Sequence, residues 1–212
     1  MRTIIGIAGV KTSGKSTVAN IIKEITNAKE SALADKLKNA SCKAFGLSRE
    51  QLDNQDLKEI EFQKHKMLTR AELIIILNEF NLDESIVDTL WHLEGALLKS
   101  PRHIAQFVGT EVLRSLGNPD IHCDNVELSD DGVTIISDMR FENEFDYFER
   151  MEDIKFIPLY IARGAAEAQV NAASHISETS VFLFRDKCIK ICNNGTIDQL
   201  GLNINKALEG KL

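Results

Sequence analysis

The 212-residue sequence predicts an α/β fold: a three-layer sandwich in which helices cover both faces of a central parallel sheet. Three observations lead there. The stretch "TIIGIA" at residues 3–8 is short, β-branched and largely apolar, which fits a strand buried on both faces. A glycine-bearing loop follows it, and then Val18, Ile21, Ile22 and Ile25 recur at i, i+3, i+4 and i+7, the stripe of a helix packed on a sheet. Further strands and helices then alternate toward the C-terminus, the pattern of parallel strands joined by helical crossovers.

The first strand is expected at the centre of the sheet. The segment "SALADKLKNASCKAFG" becomes helical after Asp35, with Leu37, Ala40, Cys42, Ala44 and Phe45 as its apolar members and Gly46 as its terminator. Residues 47–99 turn polar and mostly helix-like, with "AELIIILNEF" and "ESIVDTLWHLEGALL" as apolar stretches. They contain no linker, repeat or low-complexity run, so they are expected as a variable helical insertion within one domain spanning 1–212. Ser100 and Pro101 pair a serine N-cap with proline at the first helical position, and the helix they open runs to Gly117. "GVTIISDMR" and "IKFIPLYIAR" read as strands, with Pro158 suggesting an irregularity or an unpaired backbone position in the second. "DKCIKICNNG" is a last strand with its turn. Ile197, Leu200, Ile204 and Leu208 define a closing amphipathic helix.

Composition bounds the function. With 43% apolar and 27% charged residues the chain can build a core. Its net charge of -7 argues against a broad footprint on nucleic acid or an anionic membrane, so the expected partners are small molecules, with homodimerisation left open. Cys42, Cys123, Cys188 and Cys192 show no C-x-x-C spacing, which points to free thiols in a reducing compartment rather than a zinc site or a disulfide framework. No apolar run approaches the roughly 20 residues that span a bilayer, and the short run before Lys11 lacks a cleavage pattern. Cytoplasmic residence is the expectation.

Gly9–Ser16 matches G-x-x-x-x-G-K-S, in the context that gives the pattern meaning: a buried strand before it and an amphipathic helix after it. Glycines let the backbone wrap a phosphate with its N–H groups, and the helix N-terminus adds partial positive charge. Lys15 can reach the β and γ phosphates of a nucleoside triphosphate, and the Ser16 hydroxyl can ligate Mg²⁺. The loop residues Gly9, Lys11, Ser13, Gly14, Lys15, Ser16 and Thr17 are the candidate ATP contacts. The loop alone leaves the acceptor open.

In a parallel sheet ligands sit at the carboxyl ends of the strands, so the residues just after each strand matter most. Asp138 ends "VTIIS", where a carboxylate can hold Mg²⁺ through water, and Arg140 follows at the next position but one. A carboxylate and a cation at one strand end suit charge moving between two phosphates; a surface pair capping the next helix is the alternative. Arg163 also follows a strand, and Arg114 lies on the helix opened at Pro101.

Taken in order, "GVKTSGKST", "LADKLK" at residues 33–38, "QFVGTEVLR" at 106–114, "ISDMRFENE" at 136–144, "SHISET" at 174–179 and "ICNNGTIDQL" near the end resemble the phage-type deoxynucleoside monophosphate kinases. These belong to the wider group of P-loop nucleoside monophosphate kinases. The resemblance implies transfer of the ATP γ-phosphoryl group to a deoxynucleoside monophosphate, with Mg²⁺ as cofactor, for dNTP supply. It implies that Lys15, Ser16 and Asp138 serve ATP and Mg²⁺, that Arg140 engages the transferring or acceptor phosphate, and that Arg163 closes on the phosphates from a short lid at 163–180. Asp35, Lys36, Gln106, Thr110, Glu111 and Arg114 match the acceptor side, and Asn194 and Gly195 the loop near the adenine. His122-Cys123 stands where an aromatic residue followed by valine is expected. The rival functions are another small-molecule P-loop kinase and a non-catalytic nucleotide sensor.

Overall fold

In a computed structural model, which describes residues 2–171 and 174–212, the chain opens with β1 (Arg2–Ala8), α1 (Lys15–Thr26) and β2 (Lys29–Ser31). A helical segment follows: α2 (Asp35–Phe45), α3 (Arg49–Asp53), β3 (Lys66–Met67), α4 (Arg70–Glu79), β4 (Leu97–Leu98), α5 (Pro101–Phe107) and α6 (Ile121–Asp124). The chain then forms β5 (Val133–Met139), α7 (Glu142–Glu149), β6 (Ile154–Ala162), α8 (Gly164–Glu167), α9 (Ile176–Thr179), β7 (Ile189–Cys192) and α10 (Ile197–Leu208). Its contacts fall into two compact units: 1–32 with 127–212, and 33–126. The second is wider than the 47–99 that the sequence sets apart, because α2 and α5 share its core.

The first unit is a five-stranded sheet in the order β2-β5-β1-β6-β7, with every pairing parallel. β1 is central, as its two-sided apolar sequence predicts. Alternation of its side chains decides what each face holds. Ile5 and Ile7 belong to a core with Val18, Ala19 and Ile22 of α1 and Leu200, Ile204 and Leu208 of α10. An aromatic cluster supplies a second core: Phe145 and Phe148 of α7 lie with ring centroids 5.5 and 5.7 Å from Phe156, and Phe184 lies 5.8 Å from Phe145. Pro158 sits inside β6, in register with Gly6, where a Cβ would collide with Met139 and Phe156. The strand runs unbroken through this proline.

The second unit packs α2, α4, α5 and their neighbours around Leu37, Ala40, Phe45, Leu73, Ile76, Leu77, Ile104 and Val108. The antiparallel pair β3-β4 forms a small sheet of its own. Residues 84–93, helix-like by sequence, form a 3₁₀ run instead of an α-helix. Val87, Leu90 and Leu93, which meet this core together with Ile86, recur every third residue, a spacing that suits a helix with three residues per turn. The helix from Pro101 starts as predicted, Ser100 accepting a hydrogen bond from the His103 N–H at 3.2 Å. It changes form at Val108, continuing as a π-helix to Leu113 and a 3₁₀ turn to Leu116.

His122 is buried in this unit, edge-on to Phe80 with centroids 6.1 Å apart, and its Nδ1 has no hydrogen-bond partner among the described residues. Burial, with the charge of Arg114 as a lesser cause, pushes its imidazole down to about 4. The ordinary value is near 6.5, so the unfolded chain takes up this proton first as the pH falls. The stability that depends on a neutral ring is therefore complete above pH 6.5, declines toward pH 4 and is level below it. Between pH 7 and pH 5 the wild type should lose about 2 kcal/mol more, in urea unfolding, than His122→Phe. Equal losses would show that this ring does not titrate as a buried neutral group.

Candidate active site

The glycine loop leaves the carboxyl end of β1 and enters α1 through Gly14, which serves as N-cap with φ 98° and ψ 22°. That conformation is left-handed and costs an L side chain energy that glycine avoids. Space is equally restrictive: a Cβ on Gly14 would crowd the Asn193 side-chain amide, and one on Gly9 would crowd the Ser13 hydroxyl and the Ile161 carbonyl. No side chain caps the first turn of α1, whose N–H groups lack intrahelical acceptors. Ser13 is fully buried, and its Oγ has no partner among the described residues. A helix N-terminus with partial positive charge beside a glycine-bearing loop is suited to a phosphate. Lys15 Nζ donates to the carbonyls of Gly9 and Val10 at 2.7 and 2.8 Å, which holds the ammonium against the loop. Lys11 and Ser16 are exposed and Thr17 is half-buried.

β5 runs beside β1, and its pairing slips near the carboxyl end: Gly6 faces Ile136, while Ala8, two residues on, faces Met139, three residues on. The extra residue makes a bulge at Ser137 and Asp138, both half-buried. Bulges can re-aim side chains at the end of a strand, and the candidate carboxylate lies on this one. Beyond it, the backbone N–H groups of Arg140 and Phe141 donate to Glu144 Oε2 at 2.7 and 3.0 Å. Glu144 is 3% exposed, so this buried carboxylate fixes the turn that carries Arg140. Arg140 is half-buried, and its guanidinium forms no ion pair among the described residues.

Two more strand ends close on the loop. Arg163, after β6, donates from Nη1 to the Thr12 carbonyl at 3.0 Å. Asn193, after β7, donates from Nδ2 to the Ser13 carbonyl at 2.7 Å, and its own N–H donates to Ala162 at 2.8 Å. Asn194 Oδ1 accepts from the Gly164 N–H at 2.9 Å, tying the turn before α10 to the start of α8; Gly195 follows, exposed. Tyr160 donates to Glu167 at 2.7 Å; burial, and then Glu167, push its phenol up. Of the expected lid, residues 164–167 and 176–179 are short helices; Ala172, Ala173 and the side chains of Ser177 and Glu178 lie outside the described residues.

Gly9, Lys11, Ser13, Gly14, Lys15, Ser16, Thr17, Asp138, Arg140, Arg163, Asn194 and Gly195 all belong to the first unit. The parallel sheet brings the strand ends that carry them to one edge. Asp35, Lys36, Gln106, Thr110, Glu111 and Arg114 belong to the second unit. There Asp35 pairs with Arg49 at 2.8 Å, and Lys36 Nζ donates to Asn125 Oδ1 at 2.6 Å while lying 5.3 Å from the Phe80 ring centroid. Arg114 donates to the Pro119 carbonyl at 3.1 Å. Thr110 and Glu111 stand on the π-helix, and single π turns inside helices recur at functional sites. Their side chains and that of Gln106 form no hydrogen bond among the described residues.

The sequence misses Asn193 and Glu144. Asn193 was open to detection, because it is the first residue after β7 at a carboxyl strand end. Glu144 carried the weaker signal of an acidic residue in the first turn of a helix.

The model of the deoxynucleotide monophosphate kinase family matches residues 3–114. A protein of Acanthamoeba polyphaga mimivirus, provisionally named a deoxynucleotide monophosphate kinase, is 27% identical over 212 aligned residues, covering 92% of this chain and 91% of its own. Among solved structures, a sugar kinase from Janibacter sp. aligns at 11% identity and a TM-score of 0.37, covering 99% of this chain and 95% of that one. A dephospho-CoA kinase from Campylobacter jejuni aligns at 14% and 0.38, covering 99% and 97%. Scores of that size leave the fold to rest on the chain's own strand order. The family model takes in β1, the glycine loop, α1 and the helices as far as Arg114, more than half of the sequence, and this chain therefore belongs to the deoxynucleotide monophosphate kinase family.

Proposed function

We propose that this kinase transfers the γ-phosphoryl group of ATP to a deoxynucleoside monophosphate, giving the diphosphate and ADP. The observation that carries the proposal is the glycine loop. It offers a helix N-terminus without a side-chain cap and a buried Ser13 hydroxyl with no partner among the described residues, and Gly9 and Gly14 stand where a Cβ would collide with neighbouring protein atoms. Lys15 would leave the Gly9 and Val10 carbonyls for the β and γ phosphates, and the Arg140 and Arg163 guanidinium groups would neutralise the charge of two polyanions brought in line. The acceptor oxygen is already anionic, so phosphoryl transfer needs positioning and charge neutralisation more than a general base.

Ser16, at the start of α1, and Asp138, on its bulge, fit a Mg²⁺ ion, which takes one or two protein oxygens and fills its octahedron with phosphates and water. When bound, Mg²⁺ supplies further neutralisation of the phosphate oxygens. On the acceptor side Gln106, Thr110, Glu111 and Arg114 would contact the monophosphate, with Asp35 and Lys36 held in place by Arg49 and Asn125. The partners on this reading are small nucleotides.

The test is a coupled assay of ADP formation from MgATP with a panel of deoxy- and ribonucleoside monophosphates, each run beside a blank without acceptor. Acceptor-dependent ADP with the matching diphosphate supports the proposal and identifies the base. ADP release indifferent to every nucleotide acceptor, or ATP binding without turnover, would overturn it in favour of another acceptor or a sensor.

A further inference from the structure

We infer that Asn193 is a positioning residue for the phosphate loop: its side-chain amide sets the direction of the Gly14 N–H. The inference rests on the proposed ATP site. Asn193 Nδ2 donates to the Ser13 carbonyl at 2.7 Å. In a trans peptide the C=O of one residue and the N–H of the next point in opposite directions, so a carbonyl held on Asn193 turns the Gly14 N–H away from it. That N–H immediately precedes the uncapped first turn of α1, the run of donors a phosphate would use.

A second observation concerns the packing of the same amide. Asn193 lies directly against the Cα of Gly14, near enough that any Cβ there would collide with its amide, and Gly14 holds φ 98°. The asparagine is therefore a wall behind the loop as well as a donor to it. It is itself rooted, because its backbone N–H is bonded to Ala162 at the end of β6. Arg163 grips the preceding carbonyl, that of Thr12. Two consecutive loop carbonyls are thus held from strands that follow the loop by some 150 and 180 residues in sequence. The next residue, Asn194, bonds the first N–H of α8. One short turn therefore braces the phosphate loop with one side chain and the lid's first helix with the next.

The test compares the dissociation constants of MgATP and of adenosine, by calorimetry, in the wild type, Asn193→Ala and Asn193→Asp, with thermal melts of all three. Adenosine reports the base side without phosphates. The expected result is a loss of about 10-fold or more in MgATP affinity in both variants, with adenosine affinity unchanged and melting temperatures close to the wild type. Asn193→Asp keeps the shape and removes the donor but adds a negative charge near the phosphates, so a loss is assigned to the hydrogen bond only where the uncharged Asn193→Ala shares it. Unchanged MgATP affinity would overturn the inference. So would equal weakening of both ligands, including through loss of folding, because that is the mark of a structural or base-contacting residue. A wild type that binds no MgATP would overturn the ATP site itself, before any variant is made.

Discussion

Lys15→Ala is expected to reduce phosphoryl transfer at least ~10³-fold, to the limit of detection in the coupled assay. The ammonium lies over the loop, bonded to the Gly9 and Val10 carbonyls. Moving it from those carbonyls to phosphate oxygens exchanges neutral acceptors for charged ones, and hydrogen bonds between ionised partners are roughly twice as strong. The gain grows as negative charge gathers on the transferring group, so the loss should fall on kcat as well as on the affinity for MgATP. A variant that melts like the wild type and still turns over within tenfold of it would remove Lys15 from the chemistry.

Arg140→Ala is expected to lower kcat by up to ~10³, the scale associated with an arginine that stabilises a phosphoryl-transfer transition state. Its guanidinium has no ion pair among the described residues, while its backbone is anchored through the buried Glu144 carboxylate. A fixed main chain carrying an unpaired cation is pre-organised for an anion, and such a site needs little rearrangement when charge develops. The KM for MgATP should move much less than kcat, because the residue leaves the strand next to the loop and not the loop itself. Unchanged turnover would show that Arg140 is a surface cation at the start of α7. Glu144→Gln offers a check on the same turn: loss of the carboxylate should depress kcat in the same direction and by less, since Arg140 remains.

Much of the fold was legible because it is written in local patterns. The two-sided apolar strand β1, the stripe Val18 and Ile22 that packs α1 on the sheet, the Ser100-Pro101 start and the Leu200, Ile204 and Leu208 face of α10 all depend on residues within two turns of one another. Their physics is burial at a fixed period, and period is visible in a sequence. Where the period itself changed, sequence reading went astray. The 3₁₀ run at 84–93 and the π-helix at 108–113 have three and more than four residues per turn, and a 3.6-residue template reads both as α-helix. The breadth of the second unit was hidden for another reason. Its core joins α2 and α5 to the helices between them, and which apolar faces meet is decided by the chain's path and not by any one face.

The candidate site divides along the same line. By itself the sequence determined the glycine loop, Lys15 and Ser16, because a backbone that must wrap an anion demands glycine at set places and a cation beside them. It also brought Asp138, Arg140 and Arg163 to attention, because they follow strands. Tertiary structure alone decided that β5 lies between β2 and β1, that Asp138 lies on a bulge, that buried Glu144 anchors the turn of Arg140, and that Arg163 and Asn193 hold the Thr12 and Ser13 carbonyls. These are single polar contacts between segments far apart in the chain. Polar residues at such positions repeat with no period and have ordinary neighbours, so nothing local distinguishes them from solvated surface until the sheet brings their strand ends to one edge.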